Sequence, residues 1–166
     1  MPDTWQRLWA PHRMEYLRGE NRPLDTNDVP CPFCRIPTLS DEEGLIVARG
    51  KTAYVVMNLY PYNAGHLLVC AFRHVSDFID LSDEERNEIS SLTAHSMRTL
   101  RKVSNAAGFN IGMNQGEVSG AGVAAHIHQH VVPRWGGDAN FMPIIAGVKV
   151  LPQLLSQTRA DLAAAW

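Results

Sequence analysis

The segment Ala125-His-Ile-His-Gln-His-Val-Val-Pro-Arg134 constrains this chain more than any other. Three of the seven histidines occupy alternate positions, and Val131 and Val132 follow them. A period of two is strand periodicity. His126, His128 and His130 are therefore expected on one face of a strand over 126–133, spaced about 6.5–7 Å. A solvated strand edge does not select histidine over Thr, Lys or Glu, so the pattern points to chemistry. Two roles fit it. Neighbouring strand histidines can bind one metal. Alternatively, one neutral imidazole can attack an electrophile while its neighbours hold anionic oxygens. The turn before the strand favours the second role. Gly116, Gly120 and Gly122 permit close backbone approach, and their N–H groups can form a nest for phosphate.

The rest of the chain supplies a sheet for that strand. Residues 44–49 and 52–58 are β-branched runs around Gly50-Lys51, a hairpin signal. Residues 59–65 carry turn residues, and 66–72 form a continuous apolar run suited to a buried strand. Ser82-Asp-Glu-Glu85 reads as a capping box opening a helix. Its stripe of Ile89, Leu92, Ser96, Leu100 and Val103 continues to about residue 106, with Gly108 as the stop. Residues 109–114 read as a further strand. Pro152 is expected to open a tail helix that runs to Ala165. The pattern is α+β, with roughly five antiparallel strands and two main helices.

A length of 166 residues fits one domain. We divide it into an N-terminal extension packing on the body (1–30), a core (31–133) and a C-terminal segment with the terminal helix (134–166). The apolar fraction of 45% and charged fraction of 19% are globular values, which argues against wholesale disorder. A net charge of −2 gives no overall positive field for nucleic acid or an anionic membrane. No apolar run approaches the ~20 residues of a membrane helix, and the N-terminus lacks a signal-type apolar core. A cytoplasmic location is expected. Three cysteines do not suggest a disulfide scaffold. The spacing Cys31-Pro-Phe-Cys34 reads as half a metal site, a redox pair or two packed thiols. Cys70, in an apolar run, reads as core. Arg134 either meets phosphate or pairs with Asp138.

Taken with its surroundings, the chain resembles the histidine triad (HIT) superfamily of nucleotide hydrolases and transferases. His126-x-His128-x-His130 followed by apolar residues is similar to that family's signature. Asn58-Leu-Tyr-Pro-Tyr-Asn-Ala-Gly65-His66-Leu-Leu-Val looks like its N-x-x-P-x-x-x-G-H-x-L-V segment. Phe72-Arg73-His74 resembles its P-x-x-H position, and Asn110 and Asn114 match its spaced asparagines. Pro133-Arg-Trp-Gly-Gly-Asp138-Ala-Asn140-Phe141 is similar to the tail of the dinucleoside-polyphosphate-cleaving branch. The likeness covers roughly residues 31–165 and leans toward actinobacterial members of the diadenosine tetraphosphate phosphorylase type.

The resemblance implies a HIT-like fold and cleavage of diadenosine polyphosphates at the α-phosphate, with phosphate or water as acceptor. It implies His128 as the nucleophile that becomes nucleotidylated and His130 as the group binding the non-bridging oxygens. Asn58, His66, Asn114, Gln115, Gly120 and Gly122 are the implied substrate contacts. Zinc-bearing relatives place ligands at the positions of His74 and His126, so Cys31, Cys34, His74 and His126 become the implied structural Zn2+ site. No organic cofactor is implied. A homodimer or homotetramer is. The chain departs from the pattern at two places: Gly122 stands where many members have a phosphate-contacting Ser, and Ala125 where a Glu often precedes the first His.

Overall fold

The structure, a computed structural model, describes residues 31–138 and 152–166. Ile46–Arg49 (β1), Ala53–Met57 (β2), Leu67–Ala71 (β3), Gly108–Met113 (β4) and His128–Arg134 (β5) form one sheet. Its order is β1-β2-β3-β5-β4, every pair antiparallel. The last of the described strands thus lies between β3 and β4. The helices are Pro32–Arg35 (α1), Asp83–Ser104 (α2) and Leu155–Ala164 (α3). The expected strands are present, most of them a residue or two shorter than the apolar runs. The expected docking of residues 1–30 and the Asn140-Phe141 stretch lie outside the described residues.

Alternation along the strands sorts the core into two sides. Ala53, Val55 and Met57 of β2, Leu67, Val69 and Ala71 of β3, and Val131 of β5 pack with Ile89 and Leu100 of α2 and Leu162 of α3. Tyr54, Val56, Leu68 and Cys70 face the other way, against Cys31, Phe33 and Val123. A chain that buries both faces of β2 and β3 needs continuous apolar strands, and that is what 53–57 and 67–71 contain.

Helix α2 begins as its sequence implies. The Ser82 hydroxyl accepts the Glu85 N–H, and the Glu85 carboxylate accepts the Ser82 N–H. Its end differs from expectation. The stop is Asn105, at φ 51° and ψ 41°, whose N–H donates to the Arg101 carbonyl; Gly108 opens β4 instead. Asparagine tolerates the left-handed region that ends a helix. The tail helix also starts later than Pro152: Leu154 is its N-cap, without a side-chain bond, and Leu155 its first residue. Strand β5 starts at His128, so His126 precedes it, although Ile127 still points to the helix side.

Glu85 supplies a pH test of this framework. Its side chain, 7% exposed, takes Arg73 Nε at 2.9 Å and Arg73 Nη2 at 2.7 Å on the carboxylate. The Arg73 guanidinium and the Ser82 N–H hold that carboxyl at about 2, against an ordinary 4.5. A depressed folded-state value stabilises above the unfolded pKa and is lost as pH falls toward the folded one. Glu85→Gln is therefore expected to cost roughly 2 kcal/mol at pH 7, discounted for the half-exposed guanidinium. It should also flatten the loss of stability between about pH 4.5 and 2. Urea unfolding at pH 7 and at pH 3 checks both.

Candidate active site and metal centre

The three alternate histidines lie on the sheet face opposite α2, buried to 0%, 5% and 9% exposure for His126, His128 and His130. Each ring is oriented by a neighbour that defines its tautomer. His128 Nδ1 is 2.8 Å from the His126 carbonyl oxygen. A carbonyl only accepts, so Nδ1 carries the proton and Nε2 keeps its lone pair. Burial pushes the His128 pKa below its ordinary value, more than the His126 carbonyl raises it. The ring is accordingly neutral at pH 7, as a nitrogen nucleophile must be.

His130 is set from the other direction. The Tyr62 backbone N–H donates to His66 Nδ1 at 3.0 Å. His66 therefore bears its proton on Nε2, 2.9 Å from His130 Nδ1. That bond makes His130 Nδ1 the acceptor and leaves the proton on Nε2, a donor suited to an anionic oxygen. Asn114 Nδ2 lies 3.5 Å from His130 Nε2, so with the proton on Nε2 the two groups present donors side by side and do not bond each other. Adjacent imidazoles thus have opposite polarity: His128 presents a lone pair and His130 a proton. The two ring centroids are 5.0 Å apart.

The remaining expected substrate residues are placed as follows. The Asn58 amide bridges its own loop, 3.3 Å from His66 Nδ1 while its oxygen accepts the Tyr60 N–H at 2.9 Å. Gln115 Oε1 accepts the Phe78 N–H at 3.0 Å, which ties a 3-10 turn over Phe78–Asp80 to the glycine-rich segment. Gly116 and Gly120 adopt φ of 79° and 80°, a region that favours glycine. Gly122 is half-buried between Ala121 and Val123, both buried. Arg134 pairs with Asp138 at 2.6 Å. The Asn63 amide adds bonds to Asp138 and to the Pro133 carbonyl.

A second cluster adjoins the triad. Cys31, Cys34, His74 and His126 place one donor atom each within 4.8 Å of one another. His126 Nδ1 is 3.4 Å from Cys31 Sγ and 3.6 Å from Cys34 Sγ, and His74 Nδ1 is 3.3 Å from Cys34 Sγ. Tetrahedral bonds of 2.0–2.3 Å imply ligand separations of about 3.3–3.8 Å, so the spacing fits a four-coordinate cation. The tautomer fits too. His126 Nε2 donates to the Ala71 carbonyl at 3.0 Å, which turns a lone pair on Nδ1 toward the sulfurs. Burial pushes the Cys31 thiol up to about 11, so a cation would be what holds it as thiolate. With His126 turned to the thiols and His130 to His66, a metal on the three triad histidines does not match the geometry.

Two residues at the site escaped the sequence reading. Phe33, between the two cysteines, packs on His128 with centroids 4.8 Å apart. Tyr62 stacks on His130 at 5.5 Å and 18°. The signal for Phe33 was its place inside a metal-ligand loop. For Tyr62 it was a position four residues before His66.

An antiparallel sheet carrying a buried, tautomer-locked H-x-H-x-H segment beside a glycine-rich turn defines an α+β class with a histidine site. The chain belongs to the HIT domain family, whose model matches residues 41–137. It is 53% identical to the AP-4-A phosphorylase of Mycobacterium tuberculosis, across 99% of this chain and 86% of that protein. It is 36% identical to the bifunctional bis(5'-adenosyl)-triphosphatase/adenylylsulfatase of Arabidopsis thaliana, across 52% of this chain and 47% of that one. A solved structure of a Zn-bound histidine triad family protein from Mycobacterium smegmatis matches with a TM-score of 0.65 and 26% identity, covering 82% of this chain and 92% of that one. No helix among the described residues is long and apolar enough to cross a membrane.

Proposed function

We propose that this chain cleaves diadenosine polyphosphates, diadenosine tetraphosphate among them, at the α-phosphorus. The observation that carries the reading is His128 Nδ1 locked on the His126 carbonyl at 2.8 Å, which commits Nε2 to attack. The name of the 53%-identical relative supports the substrate class. His128 Nε2 forms a bond to the α-phosphorus as the bond to the bridging oxygen breaks, and ATP leaves. The leaving polyphosphate is already a stable anion, so positioning and oxyanion stabilisation dominate over acid catalysis. His130 Nε2–H, polarised through His66, bonds a non-bridging oxygen. Asn114 and the N–H groups around Gly120 and Gly122 complete the anion site, with Asn58 and Gln115 shaping its rim. An acceptor oxygen then displaces His128: phosphate yields ADP, water yields AMP.

Cys31, Cys34, His74 and His126 are the residues we assign to zinc. The bound ion would supply a structural cross-link and no step of the reaction. A cleft lined by Arg73, His74, Val75, Ser76, Asp80 and Ala125 borders its exposed side.

Incubation with diadenosine tetraphosphate, with and without phosphate and beside His128→Ala, tests the reading. ADP plus ATP only with phosphate means phosphorolysis, and AMP plus ATP regardless of phosphate means hydrolysis. The second reading is a nucleotide-binding protein with little turnover. It is favoured by Gly122 and Ala125, which supply neither a hydroxyl nor a carboxylate beside the histidine segment. Tight AMP binding with no His128-dependent product would establish it.

The exposed run Asn110, Ile111 and Gly112 of β4 supports pairing with a second copy, giving at least a homodimer. An exposed apolar side chain on an outer strand invites such pairing. Ile111→Lys is expected to shift the protein toward monomer in sedimentation velocity. An unchanged sedimentation coefficient would exclude this edge.

A further inference from the structure

We propose that Phe33 is a positioning residue for the His128 imidazole, so that the thiol-bearing loop sets the plane of the reacting ring. The proposal rests on the reading of His128 as nucleophile. A single hydrogen bond from Nδ1 to the His126 carbonyl restrains the ring only softly, because such a bond tolerates a range of angles and so of ring tilts. A packed ring face removes the freedom. Phe33 supplies that face, with centroids 4.8 Å apart and planes at 39°, and touches His126 as well at 5.6 Å and 66°. Both separations lie in the range of favourable ring contacts.

Phe33 is itself held rigidly. It is buried on the four-residue helix α1, where the Cys34 and Arg35 N–H groups both donate to the Cys31 carbonyl at 3.1 Å. The Tyr54 hydroxyl donates to the Phe33 carbonyl at 2.7 Å. Cys31 and Cys34 bracket Phe33 in the sequence, and their thiols meet His126 Nδ1 at 3.4 and 3.6 Å. Both constraints on His128, the carbonyl at Nδ1 and the ring on its face, therefore come from the same thiol–imidazole cluster. A neighbour that only filled volume would be replaceable by any apolar side chain of similar size. A neighbour that sets a ring plane must itself be a ring.

The test uses metal-loaded full-length protein. F33L and F33M are measured together, so that one folded, metal-loaded variant decides, and F33Y is the ring-retaining control. Metal content and thermal melting are recorded for each. In-line attack is sensitive to small displacements, so F33L or F33M should lower kcat about tenfold or more while KM stays within about twofold. F33Y should recover most of kcat. Without substrate, long-range 1H–15N NMR should show His128 as a single Nδ1–H tautomer in the parent and F33Y, and an averaged pattern in F33L. An unchanged kcat and tautomer in F33L, or a loss confined to KM, overturns the proposal. H128A keeps the two readings apart. Turnover surviving in H128A removes the nucleophile assignment; turnover lost in H128A but untouched in F33L and F33M removes only the role of Phe33.

Discussion

Replacing His128 with Ala is expected to lower diadenosine tetraphosphate turnover on the order of 10⁴-fold, the scale on which removal of a covalent nucleophile registers. No neighbour can substitute. His130 Nδ1 is spent on His66, and His126 Nδ1 faces the sulfurs of Cys31 and Cys34. Residual rate would come from binding and the anion site alone. The same change removes the hydrogen bond from His128 to the His126 carbonyl, at a cost of about 1 kcal/mol. Activity must therefore be compared at a temperature where both proteins are folded. The decisive measurement is a single turnover quenched in denaturant at alkaline pH, where the P–N bond of a nucleotidyl-histidine survives, and analysed by intact mass. The parent should carry an added nucleotidyl group that His128→Ala lacks. An adduct on the variant would relocate the nucleophile.

The second large effect concerns stability. Stripping the cation from Cys31, Cys34, His74 and His126, or replacing Cys31 with Ala, is expected to remove at least about 3 kcal/mol, because the ion's binding energy is folding energy. For a chain of this size that is a fall in Tm of about 6–12 °C. The cluster ties α1 to the turn before β5 across a large sequence separation, so its loss frees a long stretch of chain. Melting with and without chelator, beside zinc analysis of the purified protein, checks this. Protein that contains no zinc and a Cys31→Ala variant that melts like its parent would together remove the metal assignment.

The strands, the capping box and the histidine face were legible because each depends on local periodicity or on a short motif. The end of α2 was not. Gly108 is the stronger stop by composition, yet Asn105 already occupies the left-handed position, and Gly108 is then used in β4. His126 illustrates a half-legible residue. Its face followed from period two, whereas its place outside β5 depends on the Ile127 N–H bonding Val75, a contact with no local signature. The relay from Tyr62 through His66 to His130 was hidden for the same reason. His66 and His130 lie 64 residues apart, and only the β3–β5 register brings Leu67 opposite Val131 and Leu68 opposite His130. Glu88 is a further case: its carboxylate accepts the N–H groups of Lys51, Thr52 and Ala53, pinning the β1–β2 hairpin to α2 from more than 30 residues away. Nothing in the residues around Glu88 distinguishes it from its solvated neighbours.

The strand order has a consequence for biosynthesis. Among the described strands, the one that carries His128 and His130 is made last yet sits inside the sheet, flanked by β3 and β4. Cys31 and His126 are 95 residues apart. At about 5–20 residues per second, Cys31 emerges from the ribosome about 5–20 s before His126, the last member of the cluster to be made. Until then the nascent sheet has an open slot, and its thiols are exposed to whatever metals and oxidants surround it. Closing the slot, completing the Cys–His cluster and bringing His128 into the sheet are one event. A chain stalled short of residue 126 is therefore an incomplete sheet and an inactive one, and partly active folding intermediates should not accumulate during synthesis.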